Sequence, residues 1–145
     1  MSKWRSRIQS GYLEHYSSIN SMALESGVPK RMKGEYESNY LPLFQDSDDE
    51  RKVLDIGCGT GILAEWLDSL PGITCVGVDS SSSQIMAARE IRPDQEFIEA
   101  DGLEYLNSNK CKFDGIFCND VLEHLPTLDE TLEFLEAARA ALKPH

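Results

Sequence analysis

The residues best placed to do chemistry lie in KVLDIGCGTGILAEWL, Lys52 to Leu67. Gly57, Gly59 and Gly61 alternate through a turn that follows an apolar run, so a ligand can approach the main chain with no Cβ in the way. The N–H groups that open the following helix point at the same place. A pyrophosphate is one ligand for such a loop. The dinucleotide fingerprint, however, asks for Gly or Ala where this chain has Ile62, and Asp55, just ahead of Gly57, repels a phosphate and attracts a cation. Asp79 ends a second apolar run and can accept from both hydroxyls of a ribose, with a helix N-cap as its alternative role. Asp101 follows a third run and can accept from an exocyclic amine such as that of adenine. Acceptors for an amine, a ribose and an adenine at three successive strand ends describe a nucleoside that carries a charged amino acid.

The elements that must position these groups are legible from periodicity. Lys52 to Ile56, Thr74 to Val78, Glu96 to Glu99 and Phe113 to Cys118 read as short strands separated by helical patterns, the order of a parallel sheet with helical crossovers. Ile62, Leu63, Trp66, Leu67 and Leu70 recur at helical spacing, and LPG ends that helix. Ser81 with Gln84 forms a capping box for a helix reaching about Ile91, where Pro93 stops it. Thr127 with Glu130 opens another, and its stripe of Leu128, Leu132, Leu135 and Leu142 is expected to face the core. Upstream, Trp4, Ile8, Tyr12, Leu13, Tyr16 and Ile19 predict a helix that breaks at Gly27 and Pro29. KRMK, Lys30 to Lys33, reads as a solvated turn, with an anion-docking site as the alternative. QDSDDE, Gln45 to Glu50, is expected to be a loop inside a single domain of residues 1–145, with 1–50 as a helical leader and 51–145 as the ligand-binding core.

Composition narrows the function classes. The chain has 145 residues, 41% of them hydrophobic, which fits one globular domain. Its formal charge of −11, from 25 acids against 14 Lys and Arg, repels nucleic acid and anionic membrane alike. No apolar run is long enough to span a bilayer and the first residues lack a signal-peptide core, so the cytoplasm is the expected location. Cys58, Cys75, Cys111 and Cys118 form no CxxC pair, and neither a metal site nor a disulfide framework is expected.

VLDIGCGTG, GVDSS, ADGLEYL, FDGIFCNDVLEHL and ARAALKP together resemble the ordered motifs of the class I S-adenosylmethionine-dependent methyltransferases, over about Lys52 to Pro144. ESNYLPLF and DVLEHL are more particularly similar to the small-molecule enzymes of polysaccharide and lipid-sugar biosynthesis. The resemblance implies an α/β, Rossmann-like three-layer sandwich with a mostly parallel sheet, an N-terminal helical segment and S-adenosylmethionine as cofactor. It implies that Asp55, Gly57, Cys58, Gly59 and Gly61 surround the methionine part of the donor and that Asp79, Ser80 and Gln84 lie by the ribose. Asp101 and Gly102 would face the adenine, and Asn119 the amino-acid end. His124, followed by Glu123, is the candidate base for an acceptor that must lose a proton, with a turn-forming role as its alternative. His15, Tyr12 and Tyr16 could close over the donor, although an apolar helix face also accounts for them.

Relative to the seven-stranded family fold, the chain is expected to be truncated after the fourth strand and its helix. That would leave the fourth strand's outer edge open to a second copy or a partner chain. The expected activity is methyl transfer to an oxygen or nitrogen of a small-molecule acceptor, with a saccharide-linked acceptor as the finer expectation. Three rivals stand beside it: a module that binds the donor without chemistry of its own, nicotinamide-dependent reduction, and a purely structural role.

Overall fold

The structure, a computed structural model, describes residues 27–44 and 49–144. The leader residues Trp4 to Ile19, with Tyr12, His15 and Tyr16, lie outside the described residues. Four parallel strands form the sheet: β1 (Arg51–Ile56), β2 (Ile73–Asp79), β3 (Glu96–Glu99) and β4 (Gly115–Phe117), in the order β3-β2-β1-β4. Val53 pairs with Cys75 on one side and with Gly115 on the other, so β1 is central. Because β1 and β2 are covered on both faces, they read as apolar runs rather than as alternation.

One face carries α1 (Lys30–Asn39), α2 (Ile62–Asp68) and α3 (Ser82–Ile91). Its core includes Tyr36, Val53, Trp66, Leu67, Cys75, Ile85 and Phe97. The other carries α4 (Gly102–Ser108) and α5 (Leu128–Ala141), packed on Leu54, Ile56, Val76 and Val78 through Leu103, Leu106, Phe113 and Phe134. Neighbouring residues of β1, Val53 and Leu54, fall in opposite cores, as the two-residue period of a strand demands. The expected three-layer α/β sandwich is the architecture found.

Helix signals operate as their chemistry requires. Ser81 accepts from the Gln84 N–H at 3.4 Å and Thr127 from the Glu130 N–H at 3.2 Å, each satisfying a first-turn donor. α4 begins the same way, with Asp101 accepting from the Leu103 and Glu104 N–H groups at 3.0 Å each.

Three expectations are corrected. KRMK is not a turn: it is the first turn of α1. Its basic residues face water, with Arg31 to Glu35 at 3.3 Å and Lys33 to Glu37 at 3.8 Å along the helix, while Met32, Tyr36 and Tyr40 pack inward. The leucine stripe of α5 is not core either. Leu128, Leu132 and Leu135 are 72%, 50% and 44% exposed, and the buried face is Phe134, Ala137 and Ala141. Small residues let α5 lie close to the sheet and to α4, and the bulkier leucines are turned out.

The third correction concerns the outer edge of β4, which is open only in part. Phe113 bridges to Leu142, and its carbonyl accepts from the Lys143 N–H at 2.8 Å. Lys143 also reaches Asp114 at 2.7 Å. Among the described residues, no helix is long and apolar enough to cross a membrane.

Candidate active site

The chain runs β1, β2, β3 outward in one direction and then returns to lay β4 on the opposite side of β1. That reversal leaves a crevice beyond the carboxyl ends of β1 and β4, the place where open parallel sheets bind ligands. A cleft of about 380 Å³ opens there, lined by the glycine turn, the tips of β2 and β4, and α1.

The turn out of β1 is fixed by its neighbours. The N–H groups of Gly57 and Cys58 both donate to the Val78 carbonyl, at 2.8 and 3.1 Å. Asp79 Oδ2 accepts from the Gly59 N–H at 2.9 Å and its Oδ1 from the Ser81 N–H at 2.8 Å, so one carboxylate ties the loops after β1 and β2 together. Arg92, 6% exposed, donates to the Thr60 carbonyl at 2.7 Å and pairs with Glu65 at 2.5 Å, holding the turn from behind.

The three glycines have different reasons to be glycine. All have positive φ, at 73°, 55° and 87° in order. A Cβ on Gly57 would come within 2.6 Å of Val121, and one on Gly61 would enter the ring of Phe97. At Gly59 it would meet only Gln84 Oε1, at 3.9 Å. Gly59 therefore opens onto the cleft, Gly57 lines it while being held against Val121, and Gly61 lies outside the lining, where it makes room for Phe97.

Asp55 is the focus of the electrostatics. It is 2% exposed, and its Oδ2 has no hydrogen-bond partner among the described residues although it lines the cleft. Burial, reinforced by the nearby Asp79 carboxylate, pushes its pKa up to about 8, against the pull of a bond from the Ala64 N–H. Burial also raises Asp79, opposed by the N–H groups of Ser81, Gly59 and Ser80. The thiol of Cys58 and the hydroxyl of Tyr36 are raised in the same way, Tyr36 to about 12, so both are neutral. A buried carboxyl with an unused oxygen, below an opening that only a glycine leaves, fits a ligand ammonium.

Of the residues singled out from the sequence, Asp55, Gly57, Cys58, Gly59, Asp79, Gln84 and Asn119 come together in the cleft. Ser80 stands beside it, giving its N–H to Asp79. Asp101 caps α4 outside the lining. Gly102 lets α4 approach the sheet, since a Cβ there would lie 2.8 Å from Ile56. His124 and Glu123 form a short 3-10 turn, Leu122–His124, with 3.5 Å between their side chains, and neither lines the cleft.

Sequence reasoning missed the wall that α1 contributes, Met32, Glu35, Tyr36, Asn39 and Tyr40, together with Ser81 and Asp120. Tyr40 is the hinge pin of that wall: its hydroxyl donates to Asn119 Oδ1 at 3.1 Å and accepts from Nδ2 at 2.9 Å, and its ring meets Tyr36, Trp66 and Phe117. The signal was present in Val28, Met32, Tyr36 and Tyr40, spaced four apart.

A doubly covered parallel sheet with a glycine turn, a buried cation-seeking carboxyl and an acid at the tip of β2 defines a Rossmann-like nucleoside-binding domain. The comparisons carry this to a family. The methyltransferase domain family matches residues 29–145, and the chain belongs to it. The ubiquinone biosynthesis O-methyltransferase of Haemophilus ducreyi is 31% identical over 114 residues, covering 73% of this chain and 47% of that protein. The enzyme of the same name from Histophilus somni is 34% identical over 104 residues, covering 66% and 42%.

Among solved structures, a SAM-dependent methyltransferase from Archaeoglobus fulgidus superposes with a TM-score of 0.64 at 29% identity, over 78% of this chain and 48% of that one. The cofactor of the domain is S-adenosylmethionine. The chain spans about half the length of the relatives it matches. None of these names supports a saccharide-linked acceptor.

Proposed function

We propose that this domain transfers the methyl group of S-adenosylmethionine to an oxygen of a small-molecule acceptor. The observation that carries the reading is the unpartnered Asp55 Oδ2 buried in the floor of the cleft. Asp55 would take the ammonium of the donor, with the Gly57–Gly59 backbone around its methionine chain. Asp79 spends one lone pair of each oxygen on the loops and keeps the others for ribose hydroxyls, with Ser81 and Gln84 alongside. Asn119, oriented by Tyr40, would stand at the amino-acid end. The cofactor supplies an activated methyl on a sulfonium. The chain's own task is then to align an acceptor oxygen in line with it, close the cleft to water and let the acceptor's proton leave. The small-molecule, oxygen-directed reading is favoured by the named activity of the ubiquinone relatives. The 122–124 turn lies outside the cleft lining, with Leu122 packed on the core under the sheet, which supports a structural role for it beside the candidate proton transfer by His124 or Glu123.

A second reading, a donor-binding unit that works with a further polypeptide, is favoured by two unsatisfied surfaces. These are the outer edge of β4 beyond Phe113 and the exposed leucines of α5. Sedimentation separates self-association from a monomer. Calorimetric titration with S-adenosylmethionine, against Asp55→Asn and Asp79→Ala and with NAD as control, tests both readings. Saturable binding by the wild type that both variants lose is expected. A folded chain that does not bind, or an Asp55→Asn variant that binds as well as wild type, would overturn the assignment.

A further inference from the structure

Arg92 stands behind the glycine turn, outside the lining of the cleft. Its backbone is held firmly: it caps α3, with its N–H donating to the Ala88 carbonyl at 2.9 Å and its own carbonyl accepting from the Gln95 N–H at 3.2 Å. From there the buried side chain passes Gly61, where a Cβ would lie 3.6 Å from its Cδ. Nη1 donates to the Thr60 carbonyl at 2.7 Å and Nε to Glu65 at 2.5 Å, while Nη2 is buried with no partner among the described residues. Stability is a poor reason for such a group. A guanidinium withdrawn from water with part of its donor fork unused can cost more than a single ion pair returns, and an apolar side chain of similar length would fill the space without that cost. What an apolar side chain cannot do is hold the Thr60 carbonyl.

That carbonyl belongs to the half of the turn that β2 does not hold. The first half is anchored at the tip of β2: the Gly57 and Cys58 N–H groups bond the Val78 carbonyl, and the Gly59 N–H bonds Asp79. In the second half, Thr60 lines the cleft and its peptide link to Gly61 is gripped at both ends, the carbonyl by Arg92 and the Gly61 N–H by the Cys58 carbonyl at 2.9 Å. The Cys58 bond is internal to the turn, whereas Arg92 ties it to the end of α3. Three glycines at positive φ leave an untied turn many other conformations, because glycine takes either sign of φ at little cost.

We infer that Arg92 is a positioning residue for the donor: by holding the Thr60 carbonyl from behind, it keeps the second half of the glycine turn in its binding conformation before the donor arrives. Arg92 touches neither the donor nor the reacting atoms, and the inference rests on the donor reading given under Proposed function. Its signature is kinetic. Without Arg92 the turn visits the binding conformation for only a fraction of the time, and the observed Kd rises by the reciprocal of that fraction. The donor must then wait for a competent turn, so the loss falls on the association rate. Once the donor itself holds the turn, its dissociation is little changed.

The test is stopped-flow binding of S-adenosylhomocysteine to the full chain, in wild type, Arg92→Met and Arg92→Lys, with Phe134→Leu as a control for lost stability. Each chain is measured well below its own unfolding temperature. Arg92→Met is expected to slow association on the order of tenfold and to leave dissociation within about twofold of wild type. Arg92→Lys keeps one donor for the Thr60 carbonyl without the fork, so its association rate is expected to lie between the two and to carry the test where the Met variant does not fold. Phe134→Leu, in the core on the other face of the sheet, lowers stability and is expected to leave both rates unchanged. Amide exchange asks the same of the donor-free chain: the Gly61 N–H is expected to be protected in wild type and to exchange several-fold faster in Arg92→Lys. Wild-type association by either folded Arg92 variant, a loss that appears in dissociation instead, or an unprotected Gly61 amide in donor-free wild type overturns the inference and leaves the donor reading standing. A folded wild-type chain that binds no S-adenosylhomocysteine overturns the donor reading and the inference with it.

Discussion

The ring of Phe97 occupies the space where a side chain on Gly61 would begin, and the same edge of it lies 2.6 Å from where a Cβ on Gly77 would stand. A glycine of the turn after β1 and a glycine inside β2 thus accommodate one aromatic side chain, which is 4% exposed. The glycine motif therefore serves stability and binding at different positions. Gly61→Ala combines a clash with a φ of 87° and should destabilise the protein by about 2–4 kcal/mol in denaturant unfolding. Phe97→Leu in the same chain should recover part of that loss, as a double-mutant cycle would show. Gly59→Ala meets only Gln84 Oε1 at 3.9 Å. It should cost about 1 kcal/mol of stability, the left-handed penalty alone, yet weaken donor binding at least tenfold by filling the opening.

Asp55 predicts an opposition between stability and binding that depends on pH. Its folded pKa of about 8 lies above the ordinary 3.8, so between those values the folded state holds a proton that the unfolded state has released. Stability then falls as pH rises through this window. Asp55→Asn removes the penalty. It should be the more stable form at about pH 8, by on the order of a few kcal/mol, and lose its advantage toward pH 4. Donor binding should move the other way in wild type. An ammonium beside Asp55 favours the ionised form, so at about pH 7 close to one proton should be released per donor bound. Calorimetry in buffers of different ionisation enthalpy counts that proton, and unaltered proton release in Asp55→Asn would contradict the assignment.

What could be read from the sequence, and what could not, follows from which signals compete. β1 and β2 were legible because burial on both faces makes each an apolar run, and α3 because Ser81 and Gln84 announce it. Asp55, Gly59 and Asp79 were singled out because they stand at strand tips and in an alternating glycine turn, and the fold brings them together in one cleft. α1 was hidden because the basic residues of KRMK sit on its wet face and mask the four-spaced series from Val28 to Tyr40. α4 was hidden because Asp101 was weighed as a ligand acceptor, although Asp101 followed by Glu104 is also a capping pattern. Local sequence does not distinguish these uses, because the choice is made by what packs above each segment.

The face of α5 shows the same limit in a form that mutagenesis can measure. Leucine is the more apolar residue, yet close approach of α5 to α4 selects Ala137 and Ala141 for the inner face. Phe134→Ala should therefore cost about 3–5 kcal/mol. Leu132→Gln and Leu135→Gln should each change monomer stability by no more than about 0.5 kcal/mol. A large loss from either leucine variant that depends on protein concentration would instead show that a second copy covers them.

Tyr40 and Asn119 join α1 to the tip of β4 by a reciprocal pair of bonds at 3.1 and 2.9 Å. Tyr40→Phe deletes both while keeping the ring against Tyr36, Trp66 and Phe117. Because the bonds are exposed, the loss of stability should be about 1 kcal/mol or less. The kinetic effect should be larger. Without the tie, the wall loses its hydrogen bonds to the tip of β4 and is held beside the cleft by packing, so the donor should dissociate several-fold faster in stopped-flow measurements while its association rate changes little. His124→Ala makes the necessary contrast. The 3-10 turn lies outside the lining, so donor affinity should stay within about twofold of wild type. If His124→Ala accelerates dissociation as much as Tyr40→Phe does, the cleft is closed by the 122–124 turn as well as by α1, and the latch is shared.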